Sequence, residues 1–390
     1  MEKNRNIWID YLRSFLTVLV VAHHSSLAYT SFASFDKIAY INSTSPIVDS
    51  KRWIGLDIFE NFNDIFFMSL MFLIGGLFLS KSIAKKGSVR FILDRLYRLL
   101  IPFLLLGTAL MLLAYFPAYY VAHHSTNVIA YIKDFFTTEQ WPVGPPWFIC
   151  ILFVFNVLLV WIDPLIQRSR TGIVKWLDGL QHKPIRAFIV LLFITWILYV
   201  PIAYSIGAGT WTGFGPFDFQ LSRILLYFGY FLIGVMIGNT DFNNKIFSQD
   251  SAIIKRWWLW AFLSLAIYIV LTIGAKTLVQ LVKENQLQGF YAWMIYFTLY
   301  VSSCSLSCLA FITGFRKWVI CSNGWWTSLS DNAYLIYLIH YVFVTWIQFL
   351  LLSYDIPAIC KFLISFVLAI SFSWAASILL RRIKMIKQYL

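Results

Sequence analysis

Apolar residues in this sequence come in long runs separated by short polar stretches. A helix needs roughly 20 residues to cross about 30 Å of hydrocarbon. Ten runs meet that length, at residues 9–30, 58–80, 99–121, 147–163, 185–206, 217–238, 257–275, 290–313, 331–352 and 358–380. The pattern predicts an all-α, polytopic integral membrane protein of about ten transmembrane helices. It predicts one domain over residues 1–390 and no appended soluble domain. The longest outer loops, 31–57 and 122–146, are rich in Pro, Gly, Asn and Ser and read as irregular.

Composition agrees with the pattern, since 60% hydrophobic and 13% charged residues cannot form a soluble core with a solvated surface. The net charge of +13 changes the picture only through its distribution. With ten alternating helices, 23 of the 31 Lys and Arg fall inside, Lys3, Arg5 and Arg13 among them, 7 fall outside, and Arg223 lies within a span. This is the positive-inside bias, so both termini are expected in the cytoplasm and the charge is a topology signal, with no nucleic-acid partner implied. The first helix carries Asp10 and Arg13 and lacks a small-residue cleavage site, so it reads as retained. The five cysteines lie in or near helices and suggest no disulfide framework. Cys304 and Cys308, one turn apart, read as a packing face, and no metal site is expected.

Three polar constellations stand out against this background. The string VAHHS occurs at 21–25 and again at 121–125, in unrelated flanks. In the first copy, helical rotation puts Asp10, Arg13, Thr17 and His24 on one face, with His24 about 16 Å along the axis from Arg13. Ionisable groups inside a membrane usually face a bundle interior or a wet cavity, which makes His24 a candidate base; the plainer reading is an interfacial ion pair and a packed histidine. His23 points off that face. The second copy lies where a helix runs out into a loop, and His123 and His124 are expected to be solvated.

On the inner side, Lys81, Lys85, Lys86, Arg90, Arg95 and Arg98 converge where the third span begins. Arg95 and Arg98, three apart, are expected on one face, and paired guanidinium groups suit a phosphate, whether of a lipid headgroup or of a cytosolic ligand. In SLSDNAYLIYLIHYVFV the helix is expected to start at Ser330–Asn332, placing His340 near mid-membrane with Tyr337 one turn earlier. Arg223, near Asp218, must be paired, hydrated or snorkelling.

The Arg13-to-His24 face opened by IDYLR, the FFMSLMFLIGGLFL helix, the RFILDRLYRLLIPF entry and AYLIYLIH, taken in order, resemble the membrane-bound acyltransferase-3 family over essentially the whole chain. PPWFICILFVFNVLL and SKSIAKKGSVRFILDRLYRLLIPF are most similar to its glucan-succinylating branch. Ser14 follows Arg13 where the family often has Gly, and Gly75 stands where it often has Ser.

The resemblance implies transfer of an acyl group, commonly acetyl or succinyl, from cytosolic acyl-coenzyme A to a hydroxyl of an extracytoplasmic or lipid-linked carbohydrate, in a plasma or bacterial inner membrane. No bound cofactor is implied; acyl-coenzyme A is a substrate. His24 would take the acceptor proton. Arg13, held by Asp10, would position the donor or polarise its carbonyl. Arg95, Arg98, Arg90 and Lys86 would bind phosphate. His340, Tyr337 and Arg223 would serve the acceptor, or His340 would carry the acyl group transiently. A transporter or flippase lined by the same groups remains the alternative, although no two related halves are visible. A receptor or scaffold would tolerate substitution at Arg13 and His24.

Overall fold

The computed structural model describes residues 6–389, so Lys3 and Arg5 lie outside them. The helices that carry the architecture are α1 (Ile7–Leu27), α2 (Ile54–Lys86), α3 (Ser88–His123), α4 (Val128–Thr137), α5 (Trp147–Leu180), α6 (Pro184–Ile206), α7 (Ile224–Gly238), α8 (Trp257–Lys283), α9 (Gly289–Trp318), α10 (Gly324–Leu351) and α11 (Ala358–Leu380). The only strands among the described residues, β1 (Trp211–Thr212) and β2 (Phe219–Gln220), form one antiparallel pair before α7.

Nine helices among the described residues are long and apolar enough to cross a membrane. Of the ten expected, α1 falls outside that set because Asp10, Arg13, His23 and His24 dilute its apolar content. It is nonetheless 21 residues long, about 31 Å. It packs against α2, α9, α10 and α11, with Leu12, Leu16 and Val21 fully enclosed. The most polar long helix is therefore among the most surrounded, which is the arrangement that costs least when polar groups must avoid lipid.

Several expected boundaries move. α5 continues past 163 through Pro164 to Leu180. α10 begins at Gly324 rather than near Ser330, with the Asn323 side chain accepting from the Trp325 amide as N-cap at 3.1 Å. The 122–146 loop is not wholly irregular, because α4 occupies part of it, capped by Asn127. Arg223 lies in a 3₁₀ turn, Leu221–Arg223, that leads into α7.

Two contacts fix the parts that matter for the site. α2 and α7 approach backbone to backbone: a Cβ at Gly234 would stand 2.0 Å from the Leu73 carbonyl oxygen, and one at Gly238 1.8 Å from that of Leu77. Gly234 and Gly238 are four apart on one face of α7, a small-residue ridge of the kind that lets membrane helices pack closely without a hydrophobic driving force.

At the outer end, the end formed by residues 28–53 and 122–146, Lys361 donates to Asp49 at 2.5 Å with both side chains about 1% exposed. This buried pair ties the α1–α2 connection to α11. Lys361→Met leaves the Asp49 carboxylate buried and uncompensated and should cost about 3–5 kcal/mol. Thermal unfolding in detergent should show that loss, and the double variant with Asp49→Leu should recover most of it; equal losses in the single and double variants would refute a dominant ionic role.

Candidate active site

The bundle encloses a cavity of about 890 Å³ open toward the outer end, and His23, His24, Glu60, Asp64, Tyr337 and Tyr341 are among its lining residues. Two helices supply the imidazoles. On α1, the Nδ1–H of His24 donates to the Val20 carbonyl at 2.8 Å, one helical turn back. On α10, His340 donates from Nδ1 to the Tyr337 carbonyl at 2.7 Å. Each ring has thus committed one nitrogen to its own helix, which fixes the tautomer and leaves Nε2 with its lone pair. The two rings meet edge to face with centroids 5.2 Å apart, and Tyr341 lies the same distance from His24. Nε2 of His340 is fully buried and has no hydrogen-bond partner among the described residues. His340 does not itself line the cavity; it stands behind His24 and Tyr341, whose rings it neighbours.

Behind this pair runs a chain of charge. His23, adjacent to His24, has Nε2 3.8 Å from Glu60. One turn along α2, Asp64 accepts from Arg223 at 2.6 Å, and its carbonyl accepts a second bond at 3.1 Å. The Arg223 guanidinium also lies 5.3 Å over the Tyr300 ring. Arg223 is therefore paired with Asp64 of α2 and not with the nearby Asp218. It stands behind the cavity wall. Gln348 of α10 donates to the carbonyls of His24 and Ser25, each at 3.2 Å, and so holds the two histidine-bearing helices in register.

Other expected residues lie elsewhere. Asp10 and Arg13 pair at 3.0 Å, with the Arg13 side chain 48% exposed; they do not line the cavity. Ser330 donates to the Asp10 carbonyl at 3.1 Å, and Tyr334, one turn on, to the Arg98 carbonyl at 2.8 Å. The Asp10–Arg13 pair and the basic entry of α3 therefore flank the same stretch of α10, and His340 lies six residues further along, about 9 Å.

Arg95 and Arg98 both lie close enough to Asp94 for their charges to act on it. The segments Leu96–Leu100 and Phe103–Gly107, either side of Pro102, are π-helical. Arg95 is partly buried, 5.1 Å from the Phe91 ring centre. Arg98 and Lys86 both reach Asp94, at 3.2 and 3.1 Å, and Arg90 is exposed. His123 and His124 are exposed at the end of α3. No group of three or more His, Cys, Asp or Glu among the described residues is placed to hold a metal ion.

Sequence reasoning passed over Glu60, Asp64 and Glu139. The first two carried a signal, carboxylates four apart entering an apolar run. Glu139 carried none, since its loop position hides its burial. Its carboxylate accepts from the Tyr40 amide at 3.1 Å and from the Ile41 amide, joining the two outer loops beside the cavity. Burial, aided by nearby Asp134 and Asp36, outweighs those amides and pushes its pKa up to about 7.

Because the folded protein holds this proton more tightly than the unfolded chain, the stability it contributes is greatest at low pH. It declines as pH rises from the ordinary carboxylate value toward about 7. Glu139→Gln should flatten the fall in melting temperature over that interval. An unchanged pH profile would contradict the assignment.

A family model described as an acyltransferase domain matches residues 6–378. Glucans biosynthesis protein C of Shigella dysenteriae serotype 1 (strain Sd197) is 24% identical over 248 residues, covering 60% of this chain and 58% of that protein. The protein of the same name from Escherichia coli O139:H28 is 24% identical over 263 residues, covering 63% and 62%. The match thus spans about three-fifths of the length of these relatives. No solved structure matches the chain.

Proposed function

The chain belongs to the acyltransferase-3 family, and from that premise we propose that it moves an acyl group from cytosolic acyl-coenzyme A to a hydroxyl of an extracytoplasmic or lipid-linked carbohydrate. In this reading ten helices cross a plasma or bacterial inner membrane as one domain, α1 included, with both termini cytoplasmic. The observation that carries it is the facing pair of imidazoles, His24 and His340, each with Nδ1 tied to its own helix and Nε2 left as an acceptor.

The reaction follows from that geometry. The acceptor hydroxyl donates to Nε2 of His24, and its oxygen attacks the thioester carbonyl carbon as the proton passes to the imidazole. The carbon–sulfur bond then breaks, and the departing thiolate takes the proton back from His24, leaving it neutral for the next cycle. Nε2 of His340 accepts from a second hydroxyl and orients the acceptor. Glu60, through His23, and Gln348, through the His24 carbonyl, position the base.

The donor's phosphates fit the cations at the inner ends of α2 and α3, Lys86, Arg90, Arg95 and Arg98, with Arg13 and its partner Asp10 flanking the same mouth. Arg13 is thus a donor-holding group in this reading. Its exposure and its distance from His24 do not suit polarisation of a carbonyl at the imidazole. On the outer side, Trp147 and Trp211 meet edge to face at 5.7 Å in the cavity wall and offer flat surfaces to a sugar ring.

The test is release of coenzyme A thiol by purified protein supplied with acyl-coenzyme A and a panel of glycan acceptors. Acceptor-dependent release should fall by about 10²–10⁴-fold in His24→Ala. His340→Ala should raise the acceptor KM more than it lowers kcat. A His24→Ala protein with normal turnover would refute the assigned base, and absence of release with every donor and acceptor would favour the transporter reading.

A further inference from the structure

A second space lies at the inner end of the bundle and shares no lining residue with the cavity of the histidines. α5 starts at that cavity with Trp147 and ends at this space, where its last turn, the first half of α6, α7 around Met236, the α7–α8 connection and α9 at Cys308 form the walls. No charged residue and no hydroxyl group lines it. At about 110 Å³ it has room for several waters, yet a buried water needs two to four polar partners, and this lining is hydrocarbon apart from a thiol, a thioether and two indoles. Left unfilled, such a space costs stability, because the side chains around it lose their contacts.

The space is elongated and opens sideways. Its lining follows α6 from Pro184 to Ile194, about 15 Å, and Trp176 and Ile194 at its edge are 44% and 36% exposed. Ile185, Ile189 and Phe193 continue the exposed apolar surface of α6 beside it, so the opening faces lipid. Cations collect at its inner end. Lys183 and Arg186 stand either side of Pro184 at the start of α6, Arg256 immediately precedes α8, and all three are exposed with no ion pair among the described residues. The nearby acids Asp178 and Asp250 are already paired with Lys245 and Lys255, at 2.5 and 3.2 Å.

We propose that this groove holds an acyl chain of an anionic phospholipid of the inner leaflet, with the lipid phosphate at Lys183, Arg186 and Arg256. The chain fills a space that suits hydrocarbon and not water, and the head meets cations that no carboxylate answers. The lipid thereby joins α6 and α8, two of the spans least buried by the rest of the protein, to α7 and α9. The proposal is independent of acyl transfer.

The test uses the full chain, purified and delipidated in detergent, with its melting temperature followed as dioleoylphosphatidylglycerol or dioleoylphosphatidylcholine is added. Phosphatidylglycerol should raise the melting temperature at concentrations at least about tenfold lower than phosphatidylcholine. Ala187 is the small residue on the α6 side of the groove, so Ala187→Trp should fill the space and abolish the gain. Lys183→Gln with Arg186→Gln and Arg256→Gln should remove the preference for the anionic head, whereas Lys81→Gln with Lys85→Gln, in the other basic cluster, should keep it. Equal responses to the two lipids in the unaltered protein, or an undiminished gain in Ala187→Trp, overturn the proposal. If Ala187→Trp does not fold, the glutamine triple variant decides, and an intact preference for phosphatidylglycerol there overturns it.

Discussion

A guanidinium inside a membrane protein must be paired, hydrated or brought to the interface, and the arrangement of the candidate site follows from how Arg223 meets that demand. Arg223 stands at the start of α7 and Asp64 in the middle of α2. Their contact is 2.6 Å long. Further along the same two helices Gly234 and Gly238 let α7 rest on the carbonyls of α2, so the pair of helices is joined at both ends. Once Asp64 is fixed, Glu60 one turn earlier is fixed too, and it reaches His23. His24 is the next residue to His23 on α1, so in this reading the orientation of the proposed base depends on a charge pair between two other helices. Removing Asp64 would leave Arg223, whose side chain is 9% exposed, buried without its partner, which is the costly way to break such a pair.

The cationic start of α3 answers to a different constraint. Pro102 removes one backbone donor from α3, and the helix widens into π turns on both sides of it. Arg95 lies over Phe91, four residues back in the regular helix that precedes them, and Arg98 is at the surface with Asp94. One cation is held by an aromatic ring and another shares a carboxylate with Lys86. A phosphate arriving here would compete with Asp94 for two positive charges.

The sequence made nine of the long apolar helices and their order legible, because twenty-residue apolar runs have few other uses, and it singled out His24 and His340 because an imidazole is rare in such runs. It could not reveal that the two rings face one another, since that depends on how α1 and α10 are rotated and on Gln348 bonding across to the α1 carbonyls. Arg223 was visible as an anomaly, but Asp218, five residues away, was a nearer candidate in sequence than Asp64, 159 residues away. The π turns around Pro102 were not legible, because nothing in an apolar run marks where a helix widens. Glu139 and Lys361 were invisible for one reason: a charged residue beside a loop is normally solvated, and only the packed outer end shows that both are enclosed.

Charge is sorted along the bundle. Exposed cations, Lys81, Lys85, Lys86 and Arg90, gather where α2 hands over to α3, whereas among the described residues no Lys or Arg lines the cavity, and Glu60, Asp64, Glu139 and Asp218 do. These acids are not four free charges, since Asp64 is held by Arg223 and Glu139 keeps its proton toward neutrality while accepting from two amides. In the proposed reaction the two regions would serve different partners of one transfer, the cations the phosphates of the donor and the cavity the acceptor sugar, with His24 between them.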